Sequence, residues 1–334
     1  MNTTEILVEK SMGGWKPNIY LSNVAMKYYE SATYAHKRLF PMCSVRLPSG
    51  YYYEFKKGDL ARDNVAKKPA YGAVQPAIFG HNEQSYSCHV DQILLGIDKI
   101  IALPYQRAGG VDPYRERIPT LTEQIALHQE RDFAEHFFNA NAWDNVWTGA
   151  AAANESQKKF KKFDDTTDPV EFFDKRAVEI RREGRRRPNK LALGMDVFVA
   201  LKNNAAIKER IKYSGTTQNP AIVTETVLAQ IFGVDQVVVL DATYNDAKVG
   251  EADNMKYVCD SKGALLLYAP DTPQIDSPSA GYLFTWNIEG NNYIAVRTYE
   301  GKPASHTELL EGIIAYDMKK TSDDLAIFFK DCVA

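Results

Sequence analysis

The chain has 334 residues, a formal net charge of −3 and a hydrophobic fraction of 45%, which excludes a disordered or fibrous chain and argues against a dedicated nucleic-acid binder. No stretch approaches the ~18 consecutive apolar residues of a membrane span, and the start, MNTTEILVEK, lacks the basic residues and apolar core of an export signal, so residence in the cytosol of the producing cell is expected. The four cysteines, Cys43, Cys88, Cys259 and Cys332, match no zinc or redox spacing and read as reduced, partly buried thiols.

In chain order, residues 1–40 are polar and aromatic. VAMKYYESATYAHKRLF, from Val24 to Phe40, reads as one helix without a clean apolar stripe, an arm that needs a partner surface to bury it. A β-hairpin is expected next. Val45, Leu47, Tyr51, Tyr53 and Phe55 share one face, and Arg46, Tyr52, Glu54 and Lys56 the other. Leu47-Pro48-Ser49-Gly50 would be its type I turn, with Pro second and Gly fourth. Residues 57–85 turn polar, with Gly58, Pro69, Gly72, Pro76 and Gly80 among spread charges. Tyr86, Cys88 and Val90 then alternate with Ser87, His89 and Asp91, a returning strand. Strands flanking so long a polar excursion describe a protruding arm.

Pro119 and Thr120 precede a helix expected from Leu121 to about Ala142, with Leu121, Ile125, Phe133, Phe137 and Ala140 on one face. Residues 149–167 read as a surface loop. Asp168 fits an N-cap, Pro169 the first helical position and Glu171 a capping box, for a helix running to Gly184. Rapid alternation follows: a strand at Leu191–Gly194, helices at Asp196–Asn203, Ala206–Lys212 and Thr224–Phe232, and a buried strand at Val234–Asp241. Further strands are expected at Tyr257–Cys259, Leu265–Tyr268, Tyr282–Trp286, Tyr293–Tyr299, Ile313–Lys319 and Leu325–Phe329. The class is α+β, with mostly antiparallel strands toward the C-terminus.

No GxSxG, HExxH, GxGxxG or GxxxxGK[ST] occurs. His128, Asp132 and His136 share a helix face at four-residue spacing, but no other element offers a further ligand, so they read as a polar flank. The cluster Arg181, Arg182, Arg185, Arg186 and Arg187 could bind phosphate, form intersubunit ion pairs or complement a helix C-terminus; the last two carry most weight. Without interleaved aromatics it makes a poor single-strand binder.

Several runs together resemble tailed-phage major capsid proteins. Arg187-Pro188-Asn189-Lys190-Leu191-Ala192-Leu193-Gly194, followed by Val197-Phe198-Val199-Ala200-Leu201-Lys202, matches a PN-x-apolar-x-apolar-G run of that family. Ile207 to Tyr213, Leu228 to Val234, Val237-Val238-Val239 and Ala242-Thr243-Tyr244-Asn245 continue it, then Ala264 to Tyr268 and Pro278 to Trp286. The resemblance implies the shell fold of tailed phages and herpesviruses: an N-terminal arm (1–42), an extended loop (43–92), a peripheral domain (93–169) on a spine helix at about 120–142, an axial domain (170–290), and a return to the peripheral domain (291–334). It implies a structural role without catalysis, metal or cofactor, in pentamers and hexamers of an icosahedral shell around double-stranded DNA. The chain would assemble in a bacterial host cytoplasm and reside in the virion. Its partner is itself, with scaffolding, portal and decoration proteins as further candidates, weak non-specific contact with DNA, and no membrane. The short segment before the extended loop implies a separate scaffold or none.

The expected intersubunit surface comprises Arg46, Tyr51, Tyr53, Phe55, Lys57, Asp59, Arg62, Lys67 and Lys68 of the extended loop, with the five arginines as ion-pair partners. An isolated hairpin is marginal, and interfaces favour aromatic side chains. Alternatives are an encapsulin-like nanocompartment shell of similar fold, another virion component, and an oligomeric α+β enzyme using the His128 face or the arginines.

Overall fold

In the computed structural model the described residues are 18–31, 34–55, 63, 65, 67, 68, 70–72, 81–107, 113–164, 166–214, 223–248, 250–273, 278–288, 293–301 and 306–334. Runs such as LALG, QVVVL, ALLL and AIFFK are apolar at nearly every position, so a strand built from them must be covered on both faces. They form four adjacent strands, from the middle to one edge, of a six-stranded sheet in the order β6-β5-β15-β11-β7-β8. Its strands are β5 (Val146–Ala150), β6 (Lys159–Lys161), β7 (Lys190–Gly194), β8 (Gln236–Leu240), β11 (Ala264–Leu267) and β15 (Ala326–Lys330).

Successive side chains of a strand point to opposite faces, and that alternation divides the interior in two. Leu191, Leu193, Val237, Leu266, Ile327 and Phe329 enter one core, built with α5 (Pro169–Gly184), α6 (Met195–Asn203), α7 (Ala205–Ser214) and α8 (Glu225–Phe232). Ala192, Val238, Leu265, Leu267, Ala326 and Phe328 enter the other. The parallel pair β7–β8 is joined through α6, α7 and α8, as a parallel crossover demands.

The second core is closed by another sheet. Its backbone is β14 (Thr307–Lys320), paired along one edge with β12 (Gly281–Trp286) and then β13 (Ile294–Glu300), and along the other with β4 (His89–Asp98). Strand β1 (Met42–Val45) adds to β12 in parallel. Helix α4 (Pro113–His136) lies across this sheet. Ile118, Leu121, Thr122, Ile125, Ala126, Gln129, Glu130 and Phe133 are its buried stripe, and at ~1.5 Å per residue it is ~36 Å long. Gly312 of β14 makes room for Leu121, whose Cδ2 would lie 2.4 Å from a Cβ there.

Several expectations need correction. The single helix from Val24 to Phe40 is two, α1 (Ile19–Ser31) and α2 (Ala35–Leu39). Both bury residues against their own chain, Leu21, Ala25, Met26, Tyr29 and Leu39 among them, so this part of the arm needs no partner for burial. Helix α4 starts eight positions before Leu121 because it runs through Pro119, and it stops at His136 where residues 137–142 form turns. The supposed loop 149–167 contributes β6 and a 3₁₀ turn, Glu155–Gln157. Helix α3 (Lys99–Arg107) and the ribbon of β9 (Thr243–Asn245) with β10 (Met255–Tyr257) lie outside the two sheets. Among these residues no helix is long and apolar enough to cross a membrane.

Candidate assembly interface

The expected hairpin around Pro48 and Gly50 does not form. Strand β1 joins β12, and β2 (Ser49–Phe55) pairs instead with β3 (His81–Ser87), antiparallel from Ser49↔Ser87 to Phe55↔His81. Pro48 is part of that register, its carbonyl accepting from the Cys88 N–H at 2.7 Å. Seven residues a strand give a ribbon ~23 Å long, and the polar segment lies between its far ends.

The ribbon is anchored at its base. Tyr86 stacks on Phe284 with ring centroids 4.6 Å apart and planes 13° from parallel. Tyr52 approaches the same ring at 5.5 Å, and its hydroxyl donates to the Lys320 carbonyl at 3.4 Å. The Ser87 N–H donates to Asp317 Oδ2 at 2.8 Å, and the Trp286 Nε1–H to the Arg46 carbonyl at 3.2 Å. Gly50, directly opposite Tyr86 in the register, is required here: a Cβ would lie 2.7 Å from the tyrosine oxygen. Cys88 closes this cluster with Ala315. Burial, and then the nearby Asp317 carboxylate, push the Cys88 thiol up to about 11.

Of the sequence candidates, Arg46 is exposed beside the base, with its backbone rather than its side chain in the anchoring bond. Tyr51 is 77% exposed, on the ribbon face away from Tyr52. Tyr53 and Phe55 are in β2, opposite Glu83 and His81. Lys67 and Lys68 are exposed, while Lys57, Asp59 and Arg62 lie outside the described residues. Sequence reasoning missed Tyr52 and Tyr86 as the anchors, and the signal was present as aromatics at alternating positions on both flanking strands.

The arginine cluster ends α5. Arg181 and Arg182 occupy the last turn, where cations complement the helix dipole. Arg185 is the left-handed C-cap at φ 58°. Arg182 pairs with its neighbour Glu183 at 3.2 Å, and the Arg186 guanidinium lies 6.0 Å from the Tyr268 ring centroid. All five side chains are exposed.

The His128, Asp132 and His136 face makes local contacts. His128 Nε2 is 3.6 Å from Asp91 Oδ2, His136 Nδ1 meets the Asp132 carbonyl at 2.9 Å, and Asp132 accepts from the Tyr316 hydroxyl. Among the described residues no group of three or more His, Cys, Asp or Glu could hold a metal ion.

A buried polar joint that the sequence did not reveal ties the arm to α4. His36 Nδ1 is 2.6 Å from Glu130 Oε2, with both side chains 1% exposed, and the His36 backbone N–H donates to the same oxygen at 3.1 Å. Beside it the Tyr29 hydroxyl donates to Oε1 of the adjacent Gln129, and burial raises the tyrosine pKa. A buried polar group must find a hydrogen-bond partner to be tolerated, and here the contact joins residues 94 positions apart.

No family profile matches the chain. The major capsid protein of Burkholderia phage BcepMu is 27% identical over 303 residues, spanning 84% of this chain and 87% of that protein. Among solved structures, a phage-related protein from Bordetella bronchiseptica superposes with a TM-score of 0.71 at 19% identity, covering 95% of this chain and 97% of that one. A chain from the capsid of cyanophage P-SCSP1u gives 0.54 at 10% identity, over 91% and 89%.

The overall α+β fold is thus shared, over nearly the whole chain, with a phage-related protein and a phage capsid chain. The sequence similarity to the BcepMu major capsid protein spans most of both chains, so this chain is similar to it in sequence as well as to phage-related structures in fold.

Proposed function

We propose that the chain assembles as pentamers and hexamers into the icosahedral head shell that encloses packaged double-stranded DNA. The observation that carries this reading is the β2–β3 ribbon, held at its base by Tyr52 and Tyr86 while Tyr51 stays 77% exposed. Such a ribbon is marginal alone, and a neighbouring copy is the surface that would cover it. Head-to-tail contacts between copies close into rings when the rotation closes.

In this reading residues 1–42 form the arm, 43–92 the extended loop, 93–169 and 291–334 the peripheral domain, and 170–290 the axial domain, with β12 crossing from the axial segment into the second sheet. The extended-loop surface comprises Arg46, Tyr51, Tyr53, Phe55, Lys57, Asp59, Arg62, Lys67 and Lys68, and its charges set register between copies. Arg181, Arg182, Arg185, Arg186 and Arg187 make ion pairs between subunits. Scaffolding, portal and decoration proteins are further partners, and a net charge of −3 keeps contact with packaged DNA weak.

Deleting residues 59–84 tests the ribbon's role. The expected product is a folded chain, with the thermal transition retained, that forms no shells by negative-stain microscopy. Normal particles from the deleted chain would refute the interface.

A further inference from the structure

The arm, the spine helix and the end of β8 enclose a cleft of about 510 Å³. Its walls include Tyr28 and Tyr34 from the arm, Glu123 and Glu130 from α4, and Asp241 and Thr243 just past β8. Among the described residues every charged one lining it is acidic. Glu130 is 1% exposed, and the two bonds it accepts from His36 both fall on Oε2. Tyrosine faces beside carboxylates form a surroundings suited to a guanidinium, which stacks on aromatic rings and takes carboxylates with a planar fork of donors.

The chain carries such groups at the opposite end of the same strands. The parallel pair β7–β8 runs from Lys190↔Gln236 to Gly194↔Leu240. At its start lie the exposed arginines, with a guanidinium nitrogen of Arg187 packed 2.4 Å from where a Cβ on Gly233 would sit. At its end lies Asp241 in the cleft wall. Five residues of strand separate the two by ~16 Å, so one copy cannot bring its own arginines into its own cleft across that sheet. Two different patches of opposite charge at opposite ends of one element are what a head-to-tail contact uses.

We propose that the Arg186–Arg187 end of the arginine ridge of one copy docks in the tyrosine-walled acidic cleft of the next, with Glu123 and Asp241 as its ion-pair partners. The proposal rests on the shell reading and adds the receiving surface to it. The test compares shell yield, by sedimentation and negative-stain microscopy, for four chains: the natural sequence, Arg186→Glu with Arg187→Glu, Glu123→Arg with Asp241→Arg, and all four changes together. Each reversal alone should lower shell yield by about tenfold or more, since like charges facing each other disfavour docking, and the combined chain should recover most of it. Thermal melting of each chain reports folding. Should a reversed chain fail to fold, the neutral pair Arg186→Gln with Arg187→Gln replaces it, and its assembly should lose the sensitivity to salt that the natural chain shows. Reversed chains that fold and assemble as well as the natural one, a combined chain no better than either half, or a neutral pair that keeps the natural salt sensitivity would overturn the pairing while leaving the shell reading intact. A natural chain that forms no shells under any condition would overturn the shell reading itself.

Discussion

Gly50 shows how one residue can be right for a reason other than the one its neighbours suggest. After Pro48 it reads as the last position of a turn, yet it sits in β2 beneath the Tyr86 ring, which covers it and stacks on Phe284. Any side chain there displaces the ring that anchors the ribbon. Gly50→Val should therefore destabilise the base by ~1–3 kcal/mol, the usual cost of overpacking, and lower shell yield more than it lowers the melting temperature of the unassembled chain. Unchanged yield and melting would count against the anchoring role. The neighbouring tyrosines divide the labour by alternation: Tyr51 is outward and exposed, Tyr52 inward and packed. The sequence puts them on opposite faces correctly, but only Phe284, more than 230 residues away, decides which face is the anchor.

Elements were legible where a local signal fixes them. Asp168-Pro169-Val170-Glu171 marks the start of α5, and the Asp168 carboxylate indeed accepts from the Val170 and Glu171 N–H groups at 3.0 and 3.5 Å. The same side chain also takes Arg210 at 2.7 Å, an ion pair no local pattern reveals. Asp168→Ala should lower the urea midpoint by the equivalent of ~1 kcal/mol, as loss of an N-cap does, with an unchanged slope. No shift in midpoint would mean that the cap contributes nothing measurable. Where a local rule and tertiary packing disagree, the packing prevails. Pro119 reads as a helix start, but α4 passes through it because Ile118, Leu121 and Thr122 are buried on its sheet side. The first half of β14, TELLE, does not read as a core strand because of its two glutamates. Glu311 is nevertheless buried, accepting from Gln92 and from the Tyr299 hydroxyl.

At the scale of the molecule, α+β composition and the apolar strands could be read from sequence, since a run such as ALLL leaves no polar face to expose. Pairing could not. β1 lies parallel to β12 and β15 parallel to β5, partners separated by most of the chain, and nothing in either segment names the other. The same holds for the acidic cleft, whose walls include Tyr28 and Tyr34 of the arm, Glu123 and Glu130 of α4 and Asp241 past β8, and which exists only once the arm is folded back on α4. The molecule thus presents an anchored ribbon, an arginine ridge and an acidic cleft on a frame with two filled cores, the surfaces that the proposed shell contacts between copies would use.

The measurement closest to that claim is negative-stain electron microscopy of the chain expressed alone, beside size-exclusion chromatography. The account predicts closed shells, or rings of five and six copies that close into shells when a scaffolding protein is supplied. A small dimer or tetramer that never assembles under either condition would contradict it.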